Sequence, residues 1–449
     1  MSLKNFRAEN FKDAQASKQE FGAGVKRELL TFRCPVCGGK MFIEISQNLK
    51  KLSKYFPENL YVVGGYVRNK ILNIDGGDVD LASSVDIEEV LKRLENSGYE
   101  VKVKSLKFGT LLILKDGESY EYTAFRKEVY DEGGAHCPIK IERTNKLEED
   151  ATRRDFSVNA IYYNVNKDEI VDLFHGIVDL KQKILRATIK PDDIFKNDGE
   201  RILRMVRFAG ELNFKIDKDS LKSAQKYASN IKDLQNSRTY AEIEKILYCD
   251  KRYNDKGGLK RALKLLNKLK IWQYLNLKFK TVDYKMVFKC DDRLLGLLID
   301  IVDKQKPYCL EAFLQDFLPN QFGFSKDKTN EVVHLLKGYY FALAKLSNKE
   351  YFFKFYREWS KIYPLLGAKS KHIQSKYNFF YQYIIKHGLV IETADLKITE
   401  NDIKENFSSI DKRNYDKILK ALLSKVFDGK LENSKVALCA EIEKNYKNF

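Results

Sequence analysis

The chain has 449 residues, with 80 Lys and Arg against 63 Asp and Glu and 44% hydrophobic residues. Such a length predicts about two to four domains; the hydrophobic content excludes disorder over most of the chain, and no apolar run approaches the ~18 residues of a membrane span. The net charge of +17 predicts a polyanionic partner, nucleic acid ahead of an acidic membrane surface.

Seven cysteines, odd in number and scattered, do not make a disulfide framework and fit a reducing compartment. The opening Met-Ser-Leu-Lys-Asn-Phe-Arg lacks the apolar core of a secretory signal, so a cytoplasmic location is expected. Cys34 and Cys37 look like one half of a zinc ribbon. A structural zinc needs four ligands, no second CxxC exists, and His136-Cys137 lie far off in sequence, so an inert knuckle is expected.

Residues 1–48 are polar and basic and read as an extension with little core of its own. An amphipathic helix then runs from Leu49 to Phe56. The apolar, β-branched run Leu60–Val63, closed by Gly64-Gly65, predicts a buried strand. A helix over Val67–Ile74, a strand over Val79–Ala82 and a helix over Ile87–Asn96 follow, with Gly98 beyond its end. Phe108–Leu114 and Ser119–Phe125 predict strands joined by a hairpin at Lys115-Asp116-Gly117. Ser157–Val165 and Glu169–Phe174 predict another strand pair, which makes residues 49–175 a mixed α/β module. After Pro191 helical periodicity dominates, with breaks expected near 251–258, 304–307, 319–328 and 387–392. The aromatics of Tyr377–Tyr383 read as helix core, or, if partly exposed, as a stacking surface for RNA.

Four constellations carry chemistry. Glycines between a strand and a helix, as at Gly64 and Gly65, let backbone N–H groups approach an anion, and Arg68 adds positive charge. Asp78 and Asp80, two apart, point to one face of a strand; a divalent cation is the usual resolution of their repulsion. Each feature alone also fits a solvated loop; together they indicate metal-dependent phosphoryl or nucleotidyl transfer. Glu121 and Thr123 share a face of the next strand, where Glu121 is either a third carboxylate or a surface residue. Arg153, Arg154, Asp155 and Asn159 precede an apolar strand; they suit a triphosphate and ribose hydroxyls, or a structural Arg–Asp bridge. Asp198 and Arg201 are three apart, hence neighbours on one side of a helix, with Ile202, Val206 and Ala209 as its apolar stripe.

The motifs GGYVR, DVDL, KFGT, EYTAFR, RRDFSVNA and DGERILRMVRFA, in this order over about residues 60–215, resemble the bacterial-type (class II) tRNA nucleotidyltransferase and poly(A) polymerase family, within the DNA polymerase β-like nucleotidyltransferases. The resemblance implies an α+β fold: a small mixed-sheet nucleotidyltransferase head followed by an all-helical neck, body and tail. The corresponding segments are the extension 1–48, a catalytic domain 49–175, a nucleobase-recognition neck 176–250 and an RNA-binding body and tail 251–449. It implies that Asp78 and Asp80 are the metal-binding carboxylates, with Glu121 as a supporting acid. Gly64, Gly65 and Arg68 would hold the triphosphate; Arg154, Asp155 and Asn159 match the ribose-contacting motif. Asp198 and Arg201 match an amino-acid template that reads the incoming base, with Arg204 and Arg207 further along the same helix in the nucleotide-binding set. Asn69 and Asn197 depart from the family's usual Asp and Glu.

The implied reaction is template-independent addition of CMP and AMP to the 3′ end of tRNA, with two Mg²⁺ ions, CTP and ATP as substrates and release of pyrophosphate. The tRNA acceptor stem and 3′ end are the expected partner, with no membrane. C and A each present an amino group beside a ring acceptor, which an Asp acceptor and an Arg donor satisfy; U and G present the reverse. The alternatives are a poly(A) polymerase or an enzyme adding only CC or only A, and, ranked last, a non-catalytic RNA-binding protein. The Leu106–Thr110 segment lacks the Gly, basic-basic, Phe-Arg run typical of the family's poly(A) polymerases, and no His-Asp pair of an appended phosphohydrolase occurs. A loop around Phe125–Ile141 would govern partial activity.

Overall fold

A seven-stranded sheet organises the first of the two units, Met1–Asn230 and Ile231–Phe449, of this computed structural model. Described residues are 27–33, 40–130, 138–253, 257–344, 355, 359–378, 393–427 and 430–446. Cys34, Cys37, His136-Cys137, Phe379–Tyr383 and the 387–392 break lie outside them.

β1 (Arg27–Arg33) and β2 (Lys40–Ser46) pair antiparallel. Ile43 and Ile45 of β2 are buried, and Ser46 Oγ lies 2.9 Å from the Tyr120 hydroxyl. Residues 40–48 therefore differ from the core-poor extension expected: an apolar residue at every second position is enough to seat one face of a short strand. Ser46 also caps α1 (Gln47–Ser53), accepting from the Leu49 amide.

The sheet proper takes β3 (Tyr61–Val63), β4 (Val79–Ser83), β5 (Glu100–Ser105), β6 (Thr110–Lys115), β7 (Glu118–Ala124), β10 (Ile161–Asn164) and β11 (Glu169–Asp172), in the order β11-β10-β3-β4-β7-β6-β5. Its neighbours are antiparallel except β4 and β7. β6 turns into β7 through Asp116 and Gly117, both at positive φ, as a two-residue hairpin requires. β8 (Arg126–Val129) and β9 (Lys140–Arg143) form a separate antiparallel pair beside the sheet.

α2 (Gly65–Ile71) follows β3. α3 (Ile87–Leu94) starts where the Asp86 carboxylate accepts from the Ile87 amide at 2.7 Å; acids fill its first turn, bases its last, and Ile87, Val90 and Leu94 are buried along one face. α4 (Leu147–Thr152) precedes a 3₁₀ turn at Ser157–Asn159, where a strand was expected. The cause is local: the Asp155 carboxylate accepts from the Phe156 amide, Ser157 Oγ donates to Asp179, and Gly176 packs against the Ser157 carbonyl with no room for a Cβ.

α5 (Gly176–Gln182), α6 (Pro191–Asn197), α7 (Glu200–Glu211) and α8 (Lys218–Lys226) complete the unit. The stretch is not wholly helical: β12 (Ile184–Leu185) and β13 (Lys215–Ile216) pair in parallel.

In the second unit, helices Asn236–Leu247, Gly258–Lys268, Arg293–Gln305, Leu310–Phe322 and Lys326–Ala344 pack around buried side chains including Trp272, Leu298 and Leu336. Trp272 Nε1 donates to the Tyr284 hydroxyl at 2.7 Å, and the Asp300 carboxylate accepts from the Met286 and Val287 amides. The break expected at 319–328 falls between Phe322 and Lys326: Pro319 sits in the last turn of its helix, and Gly323, at φ +63°, ends it. Leu396, Ile403, Ile418, Leu422, Leu438 and Ile442 belong to a separate core towards the C-terminus. Tyr377 is buried, with its hydroxyl donating to the Ala342 carbonyl, so this aromatic is core.

Candidate active site

The parallel pairing of β4 with β7 puts Asp80 directly opposite Glu121, and in-register neighbours in a sheet share a face. Asp78, two residues earlier, is exposed at the entry to β4. Across the β3–α2 turn, Gly64 has φ +80°, and a Cβ there would lie 3.4 Å from Asp80 Oδ2 and 3.9 Å from Arg154 Nη1. Turn, carboxylate and guanidinium thus converge on one point, where the backbone conformation rather than space asks for glycine. Burial pushes the Asp80 carboxyl up to about 6 against the pull of Arg154, with Glu121 and Asp78 adding to the rise. A cation would reverse that rise.

Glu121 is not idle. Lys104 Nζ, on edge strand β5, donates to Glu121 Oε2 at 2.5 Å. The hydrogen bond with Glu121 raises the Lys104 ammonium above its usual range, and the charges of Glu121, Asp80 and Asp78 add to this.

Arg154 is fixed from behind. Its Nε donates to the Tyr162 hydroxyl at 2.7 Å and its Nη2 to Asp150 at 3.3 Å. Asp150 is fully buried and also accepts from Tyr162 (2.7 Å) and Arg153 Nε (2.8 Å). Burial alone would raise its carboxyl, but Arg153, Arg154 and Tyr162 hold it below the usual range.

Asp198 and Arg201 meet at 3.5 Å with side chains only 17% and 10% exposed, so this is not a solvated surface pair. Asp198 lies before α7 rather than within it, and its Oδ1 accepts from the Glu200 amide at 2.9 Å. Arg201 Nη2 donates to the Arg153 carbonyl at 2.9 Å and lies 3.8 Å from Glu128 Oε2. Glu128, on β8, accepts from Arg126 and from the Tyr130 hydroxyl.

A third group ties β3–α2 to α7. Asp155 accepts from Asn159 Nδ2 at 3.1 Å and from Arg204 Nε at 2.8 Å; burial opposes its ionisation, yet Arg204 and Asn159 bring its carboxyl down to about 2. Asn159 Oδ1 accepts from Arg68 Nη1 at 2.5 Å, and Asn69 Oδ1 accepts from Arg68 Nε and Nη2. Arg207 pairs with Glu211 at 3.2 Å and lies over the Phe208 ring.

The structure therefore brings Gly64, Asp80, Glu121 and Arg154 to one place, with Gly65 and Asp78 at its border, and Asp198 with Arg201 to another. Arg68 and Arg207, 2% and 4% exposed, face protein rather than an open triphosphate site. Asp155 and Asn159 are engaged by protein partners, and Arg204 serves Asp155. Lys104, Asp150, Glu128 and Tyr130 were not singled out from sequence. An acid three and four residues ahead of the Arg153-Arg154 pair was the one available signal, for Asp150; the others depend on tertiary neighbours. Among the described residues no group of three or more His, Cys, Asp or Glu could hold a metal ion unaided. Asp78 and Asp80 do fit a hard cation such as Mg²⁺, which takes one or two carboxylates and completes its shell with phosphate and water.

The first unit is a mixed-sheet head with a cluster of carboxylates and arginines, and helices follow it in the chain. The Poly A polymerase head domain family matches residues 60–186, and the family described as the probable RNA and SrmB- binding site of polymerase A matches residues 213–280. The chain is 36% identical to a CCA-adding enzyme of Streptococcus thermophilus over 216 residues, 48% of this chain and 50% of that protein. It is 35% identical to a CCA-adding enzyme of Ligilactobacillus salivarius over 207 residues, 45% of this chain and 48% of that one. The matched segment spans about half the length of these relatives. Among solved structures, the Bacillus stearothermophilus CCA-adding enzyme in complex with CTP superposes with a TM-score of 0.61 at 21% identity, covering 90% of this chain and 99% of that one. The Thermotoga maritima CCA-adding enzyme complexed with tRNA gives 0.56 at 22%, over 88% and 95%. These structures share the fold. Over residues 60–186 and 213–280 the chain is similar to the poly(A) polymerase head and RNA-binding families. No helix among the described residues is long and apolar enough to cross a membrane.

Proposed function

We propose that this protein adds CMP and AMP to the 3′ end of tRNA without a nucleic-acid template, releasing pyrophosphate. The observation that carries the reading is the convergence of Gly64, Asp80 and Arg154 on one point, with Glu121 in register beside Asp80. In this reading Asp78 and Asp80 hold two Mg²⁺ ions against the triphosphate. When bound, the metal supplies charge stabilisation at the phosphate and a lowered pKa for the attacking 3′ hydroxyl.

The chain's own residues do the positioning. Arg154, held by Tyr162 and Asp150, presents its guanidinium beside Asp80, where a triphosphate needs a fixed positive charge. Gly64 and Gly65 let the nucleotide approach the backbone. Asp198 accepts from the amino group of C or A while Arg201 donates to the neighbouring ring nitrogen. Arg204, Asp155 and Asn159 support this arrangement by joining α7 to the turn at Ser157–Asn159 and, through Arg68, to α2.

The match of residues 213–280 to an RNA-binding family and the +17 charge support tRNA as partner. CTP, ATP and tRNA complexes among the similar structures support the same substrates. Free cysteines at 249, 290, 309 and 439 fit the cytoplasm. We retain the domain division 1–48, 49–175, 176–250 and 251–449 as functional segments, with β2 serving the head. The test is incubation with tRNA lacking its 3′ end, Mg²⁺, and CTP and ATP separately and together, followed by end sequencing. Addition of CCA and a stop is expected. A long A tail would indicate a poly(A) polymerase, CC or A alone a partial enzyme, and no product with any nucleotide a binding protein.

A further inference from the structure

The acidic face carries a cation of its own. Lys104 projects from edge strand β5 across β6 to β7, where its ammonium sits 2.5 Å from Glu121. Glu121 is the register partner of Asp80. Lys104 and Glu121 remain 47% and 42% exposed, so the pair is open to exchange rather than locked in core. Exposed ion pairs of this kind are worth little to stability, so the charge Lys104 brings to this face is its main physical consequence.

We propose that Lys104 is a positioning residue that acts as a built-in counter-cation, neutralising the Asp78, Asp80 and Glu121 face and competing there with divalent metal until nucleotide arrives. The inference rests on the reading of Asp78 and Asp80 as the metal carboxylates. It follows from charge alone: an ammonium beside a carboxylate cluster lowers the cluster's attraction for a second cation, most strongly at short range, with solvent screening part of the effect. A triphosphate would change the balance, because it supplies the oxygens and negative charge that the carboxylates alone lack.

The test is Mn²⁺ binding to the full chain without nucleotide, with free Mn²⁺ followed by electron paramagnetic resonance. Wild type, Lys104→Met, Lys104→Arg and Asp80→Ala are compared at one ionic strength. Lys104→Met is expected to bind Mn²⁺ roughly three- to tenfold more tightly than wild type, and Lys104→Arg, which keeps the charge, to stay within about twofold of it. Equal or weaker binding by Lys104→Met, with wild-type binding lost in Asp80→Ala, would overturn the role of Lys104 and leave the carboxylate assignment standing. Wild-type binding that survives in Asp80→Ala would overturn both.

Discussion

Asp80 stands opposite Glu121 across the one parallel strand pair of the head sheet, so two carboxylates from segments some forty residues apart in sequence share a face. Parallel pairing requires a crossover between the strands, and here α3 and the β5–β6 hairpin provide it. The first prediction follows. Asp80→Ala should lower nucleotide addition at least about a thousandfold, since in the proposed reaction the metal charge it would hold stabilises the transition state by several kcal/mol. tRNA affinity, measured by filter binding, should stay within about threefold. Addition persisting at more than a tenth of the wild-type rate would remove Asp80 from the reaction.

Gly64 tests the turn that faces Asp80. An alanine there would have to adopt φ +80° and ψ −135°, outside the left-handed helical region, at a cost on the order of 1–3 kcal/mol, with its methyl group in contact with Asp80 Oδ2 at 3.4 Å. Gly64→Ala is expected to raise the KM for CTP and to lower kcat, with a modest drop in stability. Steady-state kinetics beside urea unfolding separates the two. A stability loss with unchanged kinetics would make the glycine a purely conformational requirement.

Asp155 gives a pH signature. Its folded carboxyl lies at about 2, below an ordinary value of 3.8, because Arg204 and Asn159 outweigh burial. A depressed folded pKa means that stability is present above the unfolded value and is lost as pH falls through the folded one. The contribution is on the order of 2 kcal/mol above about pH 4, fading towards pH 2. The gap in urea-unfolding free energy between wild type and Asp155→Asn should therefore be full at pH 7 and shrink below pH 4. A gap independent of pH would assign the loss to packing.

The charge of +17 should appear as salt dependence of tRNA binding. Each phosphate neutralised on a single strand contributes about 0.7 to the slope of log affinity against log salt. A slope steeper than about −3 between 50 and 300 mM KCl is expected from fluorescence anisotropy. A flat response would point to recognition by shape and stacking instead.

Much of the head was legible because its central strands are apolar and bounded by glycine. Val62 and Val63 before Gly64-Gly65, and Leu81 and Ala82 after the Asp pair, are buried as their side-chain types imply. β5 was invisible for the converse reason: Glu-Val-Lys-Val-Lys-Ser is an edge strand with little burial on either face, so no apolar face marks it. Lys104 went unseen with it. Residues 40–48 were misjudged because the short apolar run Met41-Phe42-Ile43 with Ile45 was averaged into the polar, basic composition of residues 1–48. The Asp198–Arg201 spacing was legible, but its meaning was not. Only the fold brings the Arg153 carbonyl and Glu128 to Arg201 and reduces the exposure of the pair. Arg68 and Arg207 show the opposite limit, since a motif arginine can as well be spent on Asn159 or Glu211 as on a ligand.

In the proposed reaction the choice of base falls to Asp198 and Arg201. The measurement is kcat/KM for CTP, ATP, UTP and GTP on one truncated tRNA, with wild type and Asp198→Ala. Wild type should use C and A and reject U and G. Asp198→Ala leaves the amino group of C or A without its acceptor, and a good bidentate base contact is worth about 1–3 kcal/mol of discrimination, so the CTP-to-UTP preference should fall roughly tenfold or more. Unchanged selectivity with activity retained would contradict base reading by this pair and leave it as a half-buried link between α7 and the head.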